Sequence, residues 1–272
     1  MSEFTVERAG VALAGEEAGD GVPIVLLHGL TATRRYVVMG SRALERSGHR
    51  VLLYDARGHG RSAPAPDPAG YGYEALAADL LAVLDDRGIE RAVLGGASMG
   101  AHTIVRLALD HGDRVAGLVL ITPAYTPEGE DNDLARWDAL SDGLREGGVE
   151  GFVAAYGDPG VPEAWRETVI KVLRQRLSAH EHPEAVADAL RAVPRSRAFE
   201  DWAELSELDL PCVVVASRDE ADPGHPYAVG ARYAGAIPGA ILRSEEPGAS
   251  PLAWQGGQLS SVIAELAERV AA

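Results

Sequence analysis

The sequence predicts an α/β fold: a mostly parallel, doubly wound sheet with a helical insertion. Three observations support this. Continuous apolar runs, typical of strands buried on both faces, alternate with segments of helical spacing. A Gly-x-Ser-x-Gly turn joins one such run to a helix. Residues 126 to about 205 have several helical patterns and no strand pattern. Alternating strands and helices at this spacing form parallel sheets, so the helical stretch is an insertion.

The predicted elements follow in chain order. Two alternating stretches, 4–8 and 11–14, meet at Gly10 and form an edge hairpin. The predicted strands of the parallel sheet are 24–27, 51–54, 92–94, 115–121, 212–216 and 240–244, of which 24–27, 51–54 and 115–121 are expected to be buried. The predicted helices are about 36–47, 73–87, 134–144, 149–156, 163–177, 183–193, 226–236 and 259–270, with one more after the Gly-x-Ser-x-Gly turn. Residues 1–124 and 206–272 therefore form a core, and residues 125–205 a helical cap (lid).

Composition narrows the class of protein. The 272 residues carry a formal charge of −16, which argues against nucleic acid or an anionic membrane as partner. No apolar run approaches the roughly 18 residues that span a bilayer, and no leader pattern opens the chain, so we expect a cytoplasmic protein. Cys212, the single cysteine, is expected to be buried. No metal cluster and no cofactor motif is visible, so we predict no cofactor.

The central motif is the pentapeptide Gly96-Ala97-Ser98-Met99-Gly100, which lies between an apolar run and a helical segment. Such a turn places the serine hydroxyl above the end of the sheet and beside the free N–H groups of a helix N-terminus. Side chains two positions before or after the serine would collide with the strand and the helix. The glycines therefore have a steric reason to be there.

Four features in this order make the chain resemble the α/β-hydrolase superfamily over nearly its whole length. They are the His28-Gly29 loop after an early strand, the motif Asp55-x-Arg57-Gly58-x-Gly60-x-Ser62, the Gly96–Gly100 turn, and a helical cap before a later strand. The resemblance implies that Ser98 is a nucleophile. It also implies that the backbone N–H groups of Leu30 and Met99 form an oxyanion hole.

The resemblance places an acidic residue after strand 212–216, where the sequence offers three carboxylates. Asp219 fits the distance from the strand, and Asp222 fits the distance to Pro226. We expect Asp219 to be the acid slightly more than Asp222. The residue that is not the acid would cap a helix or carry a solvated charge.

The chain departs from the family pattern at the general base. Ser250 stands where the family has its histidine, and no histidine follows His225. Loss of that histidine costs on the order of 10⁶ in kcat, and a serine hydroxyl has no suitable pKa to replace it. Three explanations stay open. His225 (or, less favoured, His102) supplies the base; the reaction is a non-hydrolytic cyclisation or lyase step; or the protein only binds a small molecule.

The substrate is expected to be a small carbonyl compound such as an ester, a lactone or a polyketide-like molecule. His28 is expected to shape the loop beside it rather than to act as a base. Other candidates for substrate binding lie after strands or in the loop that lacks the histidine: Thr31, Tyr125, Ser250 and Trp254.

Overall fold

The computed structural model describes residues 1–129, 134–249 and 254–271. Its strands are β1 (Ser2–Arg8), β2 (Val11–Ala18), β3 (Pro23–Leu27), β4 (Arg50–Tyr54), β5 (Ala92–Ala97), β6 (Val115–Ile121), β7 (Cys212–Val215) and β8 (Ile241–Arg243). They form one sheet in the order β1-β2-β4-β3-β5-β6-β7-β8. The β1–β2 and β2–β4 pairs are antiparallel and every later pair is parallel. The predicted edge hairpin and the mostly parallel sheet are confirmed.

Helices cover both faces of the sheet. They are α1 (Ala43–Arg46), α2 (Tyr73–Asp86), α3 (Met99–Asp110), α4 (Leu134–Tyr156), α5 (Glu163–Leu177), α6 (Pro183–Ala192), α7 (Tyr227–Ala236) and α8 (Gly256–Ala271). One core cluster includes the apolar faces of α2 and α3, and a second includes those of α1 and α8. Side chains of β3 to β7 alternate between the two clusters. This two-sided burial explains the continuous apolar runs and confirms the doubly wound arrangement.

The helix predicted over residues 36–47 is wrong. The chain makes one 3₁₀ turn, Arg34–Tyr36, and then the single turn of α1. Between them Met39 and Gly40 adopt positive φ angles of 45° and 76°. The Gly40 N–H donates to the carbonyl of Arg35 at 2.8 Å. Backbone in the left-handed region cannot continue a right-handed helix. The segment that was predicted as one helix therefore forms two short helical turns.

The segment between β6 and β7 carries α4, α5 and α6, and no strand is formed within its described residues. The predicted helices 134–144 and 149–156 both lie within α4, which is interrupted by non-helical backbone at Gly148. The connection between α5 and α6 contacts the core at Gly60. The Gly60 N–H donates to His180 Nδ1 at 2.9 Å, and the Glu181 N–H donates to the Gly60 carbonyl at 2.8 Å. No helix in the described ranges is long and apolar enough to cross a membrane.

Candidate active site

Ser98 lies on the turn between β5 and α3, in a conformation that residues with a side chain rarely adopt. Its φ is 50° and its ψ is −115°. Its N–H donates to the Ile121 carbonyl at 3.0 Å, and its carbonyl accepts from the His102 N–H at 3.1 Å. The side chain is half-buried, and no group in the described residues forms a hydrogen bond with its hydroxyl. The turn thus holds a strained serine at a helix N-terminus, with a hydroxyl that has no hydrogen-bond partner within residues 1–129, 134–249 and 254–271.

Two close backbone approaches make glycine necessary on either side of Ser98. A methyl group added to Gly96 would lie 2.4 Å from the carbonyl carbon of Gly100, at the start of α3. A methyl group added to Gly100 would lie 2.2 Å from the carbonyl oxygen of Leu27, at the end of β3. Contacts this short with backbone atoms cannot be relieved by a side-chain rotation. The predicted collisions with helix and strand are confirmed.

The loop after β3 runs directly beside the serine. A methyl group on Gly29 would lie 3.4 Å from the Cβ of Ser98. His28 Nε2 accepts a hydrogen bond from the Ala56 N–H at 2.9 Å, so its proton is on Nδ1, which donates to the Gly29 carbonyl at 2.8 Å. Burial, the largest effect, lowers the pKa of His28 well below its usual value. A neutral His28 therefore shapes the loop that carries Leu30, as expected.

The motif around Asp55 supports this loop. One ring nitrogen of His59 lies 2.6 Å from the Leu30 carbonyl oxygen and the other lies 2.9 Å from that of Arg57. Arg57 in turn makes two charge-assisted hydrogen bonds to the buried carboxylate of Asp79, at 2.7 and 2.6 Å. The motif thus acts as a scaffold, and the Leu30 N–H is free of protein acceptors within the described residues.

The loop after β7 brings His225 against Asp222. His225 Nδ1 lies 2.8 Å from both carboxylate oxygens of Asp222. Burial raises the pKa of Asp222, but the hydrogen bond with His225, that residue's charge and the nearby positive charge of Arg176 outweigh this and lower it. The ionised carboxylate of Asp222 is an acceptor for an Nδ1–H group of His225, and this contact orients the imidazole ring.

Asp219, the residue expected slightly more as the acid, forms hydrogen bonds within the same loop. Its carboxylate accepts the Ala221 N–H at 2.8 Å, and its carbonyl accepts the Asp222 N–H at 3.1 Å. These bonds form a short side-chain-stabilised turn. The geometry therefore pairs His225 with Asp222, the residue that fits the spacing to Pro226.

The loop after β8 is organised around Glu245 rather than a histidine. This buried carboxylate accepts hydrogen bonds from the Ser217 hydroxyl at 2.8 Å, the Arg218 N–H at 2.5 Å and Trp254 Nε1 at 2.9 Å. Trp254 also packs against the cluster that contains α1 and α8. The structure thus gives Trp254 a packing contact, whereas Ser250 lies outside the described residues.

His102 is not available as a base. Its Nε2 accepts the N–H groups of Ala124 and Tyr125, both at 3.0 Å, so Nδ1 carries the proton and lies 2.9 Å from the Tyr73 hydroxyl. Burial lowers the pKa of His102 to about 3. Tyr125 is similarly engaged, since its hydroxyl donates to the Phe199 carbonyl at 2.8 Å. Both residues belong to a packed aromatic cluster beneath the helical segment.

Two residues of the helical segment reach the site without having been predicted there. Arg176 Nη2 donates to the Thr31 hydroxyl at 2.6 Å, and His180 Nε2 lies 3.2 Å from the Thr31 carbonyl oxygen. Burial lowers the pKa of His180 to about 3. Arg176 follows the buried Leu173 by three positions and precedes the buried Leu177. Its place on the apolar face of α5 is the sequence signal that could have identified it.

Comparison with known proteins is consistent with this geometry. Residues 22–182 match a family model described as the alpha/beta hydrolase fold. The chain is 33% identical over 208 residues to a Variovorax paradoxus protein named "Putative carbamate hydrolase RutD", covering 74% of this chain and 75% of that protein.

Two solved structures superpose over nearly the full length. A thermophilic esterase from Thermogutta terrifontis is 26% identical, with a TM-score of 0.76 and 99% of each chain covered. Est816, described as an N-acyl homoserine lactone degrading enzyme, is 27% identical, with a TM-score of 0.73 and 98% of this chain and 99% of that chain covered.

Proposed function

Because the chain belongs to the α/β-hydrolase family, we propose that it hydrolyses a small carbonyl compound, an ester or a lactone, with Ser98 as nucleophile. The observation that carries the proposal is the His225–Asp222 hydrogen bond at 2.8 Å. It supplies an oriented imidazole on a loop at the carboxyl end of β7, the sheet edge at which Ser98 follows β5. The family's usual position for this histidine holds Ser250.

In the proposed reaction, His225 Nε2 takes the proton from Ser98 Oγ as this oxygen attacks the substrate carbonyl carbon. The resulting oxyanion accepts hydrogen bonds from the N–H groups of Leu30 and Met99. When the intermediate collapses, His225 returns the proton to the leaving alcohol. A water molecule, activated by the same imidazole, then releases the acid. Asp222 keeps the proton on Nδ1 throughout.

One step in this sequence requires movement. Ser98 and His225 are not hydrogen-bonded to each other in the structure. Such contacts are often long or absent before substrate binds and tighten in the reactive complex. The contacts of Arg176 and His180 with Thr31 support a further part of the proposal, that residues 125–205 form a cap over the substrate.

The open Ser98–His225 contact also favours a second candidate. A site with an oxyanion hole and no engaged base could polarise a carbonyl for a cyclisation or lyase reaction without forming an acyl-enzyme, or hold a carbonyl ligand unchanged. This candidate predicts no covalent labelling of Ser98.

The deciding experiment is reaction with a fluorophosphonate probe and with p-nitrophenyl butyrate. We expect rapid labelling of the wild type, none of Ser98→Ala, and about 10⁶-fold slower labelling of His225→Gln. His111→Gln, a change at an exposed histidine, serves as the matched control and should react like the wild type. If the wild type is labelled no faster than Ser98→Ala, the hydrolase proposal fails. If His225→Gln is labelled as fast as the wild type while Ser98→Ala is not labelled, the base is a group other than His225.

A further inference from the structure

Arg176 enters the site from the helical segment. It lies one residue before the end of α5, and its guanidinium reaches the core loop that follows β3. Nη2 donates to the Thr31 hydroxyl at 2.6 Å, and the guanidinium carbon lies 5.8 Å from the centre of the Tyr36 ring. Thr31 directly follows Leu30, whose N–H is the proposed oxyanion donor. Arg176 therefore contacts the residue that directly follows the proposed oxyanion donor.

Arg176 is half-buried, and its charge is paired differently from those of the buried Arg34 and Arg57. Arg34 forms ion pairs with Glu16 and Asp55, and Arg57 forms one with Asp79. Arg176 has no carboxylate at ion-pair distance among the described residues, and its covered Nε–H has no hydrogen-bond partner. Burial accordingly lowers its pKa, while Asp222 acts on it only at longer range. A half-buried cation whose covered N–H has no acceptor is costly unless a ligand pairs with it.

Three histidines lie around Thr31 and Leu30. His28 and His59 are buried and His180 is half-buried, and burial lowers the pKa of each. Arg176 presents its positive charge in a planar fork of donors. That combination matches a monoanionic, planar group such as a carboxylate better than a doubly charged phosphate.

We propose that Arg176 binds a carboxylate of the substrate, so that the enzyme's substrates are acidic esters or lactones. The inference rests on the proposed function for its kinetic consequences, but not for binding. Because Nε is covered, the guanidinium must turn from Thr31 to receive the ligand. The carboxylate then replaces the threonine hydroxyl as its hydrogen-bond partner and supplies the missing counter-ion.

The kinetic test compares mono-p-nitrophenyl adipate with p-nitrophenyl hexanoate, two esters that differ by a carboxylate in place of a methyl group. We expect kcat/KM of the wild type to favour the acidic ester by about 10- to 100-fold. Arg176→Gln should remove this preference, because it should lower kcat/KM of the acidic ester about 10- to 100-fold more than kcat/KM of the neutral ester. Arg176→Lys should restore part of it. Arg174→Gln, on the exposed side of the same helix, is the matched control and should retain the preference.

A binding test separates this inference from the hydrolase proposal. Adipic acid monoamide carries the same distal carboxylate but has no reactive ester, and hexanamide is its neutral control. We expect the monoamide to raise the melting temperature of the wild type and of Ser98→Ala, but not that of Arg176→Gln. Equal shifts with Arg176→Gln, or equal loss of both esters' hydrolysis in that variant, would overturn the carboxylate role even if Ser98 is labelled. Monoamide binding without Ser98 labelling would support Arg176 and refute the hydrolase.

Discussion

The turn around Ser98 and the loop after β7 lie at the same edge of the sheet but are held in different ways. The Ser98 turn is fixed by backbone atoms, because Gly96, Gly100 and Leu27 approach each other too closely for any side chain. The loop after β7 is fixed by side-chain pairs, chiefly His225 with Asp222 and Glu245 with Ser217. A backbone constraint permits one residue type, whereas a side-chain pair can be formed by several.

The two regions also differ in burial. β5 lies in the middle of the sheet and is buried along its length except at its last residue, Ala97. β8, next to β7, is a three-residue edge strand with largely exposed side chains. A loop beside an exposed edge can accept new residues at small cost to the core. This difference in burial supports the proposal that His225 acts as the base from the loop after β7, while the serine turn keeps the family's pattern.

Among the variants that compare these two regions, Asp222→Asn has the largest expected effect. It tests whether Asp222 or Asp219 supports His225. Asp222→Asn should slow fluorophosphonate labelling about 10⁴-fold, because an amide cannot hold the imidazole in the required tautomer. Asp219→Asn keeps an oxygen that can accept the Ala221 N–H, so it should change the rate less than about 3-fold. Labelling rates of the two variants, measured beside the wild type, provide the comparison. If Asp219→Asn is labelled much more slowly than Asp222→Asn, Asp219 is the acid.

The sequence predicted the serine turn well because its constraints are local. Gly96 and Gly100 are required by steric contacts within the turn and with the adjacent strand, and both were identified from spacing alone. Asp219 and Asp222 could not be separated in that way, since each fits one of two spacings and the contact of Asp222 with His225 appears only in the folded loop. Arg176 was missed because its contact with Thr31 joins residues 145 positions apart.

The next effect concerns stability and tests the claim that backbone contacts fix the serine turn. Gly100→Ala should lower the free energy of unfolding by about 3–5 kcal/mol, since the added methyl would overlap the Leu27 carbonyl. Gly235→Ala, in α7, meets no atom within 4 Å and is the matched control. It should stabilise the protein by up to about 1 kcal/mol. Urea denaturation measures both. Equal effects would show that the turn can relax around a side chain.

The smallest expected effect is a pH dependence of the free energy of unfolding, caused by His102 on the helix that follows Ser98. Burial holds the folded-state pKa of His102 at about 3, against about 6.5 in an unfolded chain. Above pH 6.5 both states are neutral at this residue, and its contribution to stability is complete. Below pH 6.5 the unfolded state binds a proton that the folded state does not. The free energy of unfolding therefore falls by about 1.4 kcal/mol per pH unit as pH decreases towards 3.

This prediction is isolated by a variant that keeps the hydrogen bonds but does not titrate. His102→Gln retains an oxygen that can accept the N–H groups of Ala124 and Tyr125, so it should still fold. Its free energy of unfolding between pH 6.5 and 5 should fall less steeply than that of the wild type, by about 1.4 kcal/mol per pH unit. Asp222, whose folded pKa is lowered, contributes stability that is lost only at more acidic pH and does not affect this window. If the free energy of unfolding has the same pH slope in both proteins, His102 is protonated in the folded state. The backbone beside Ser98 would then be held by a charged imidazole rather than by a neutral acceptor.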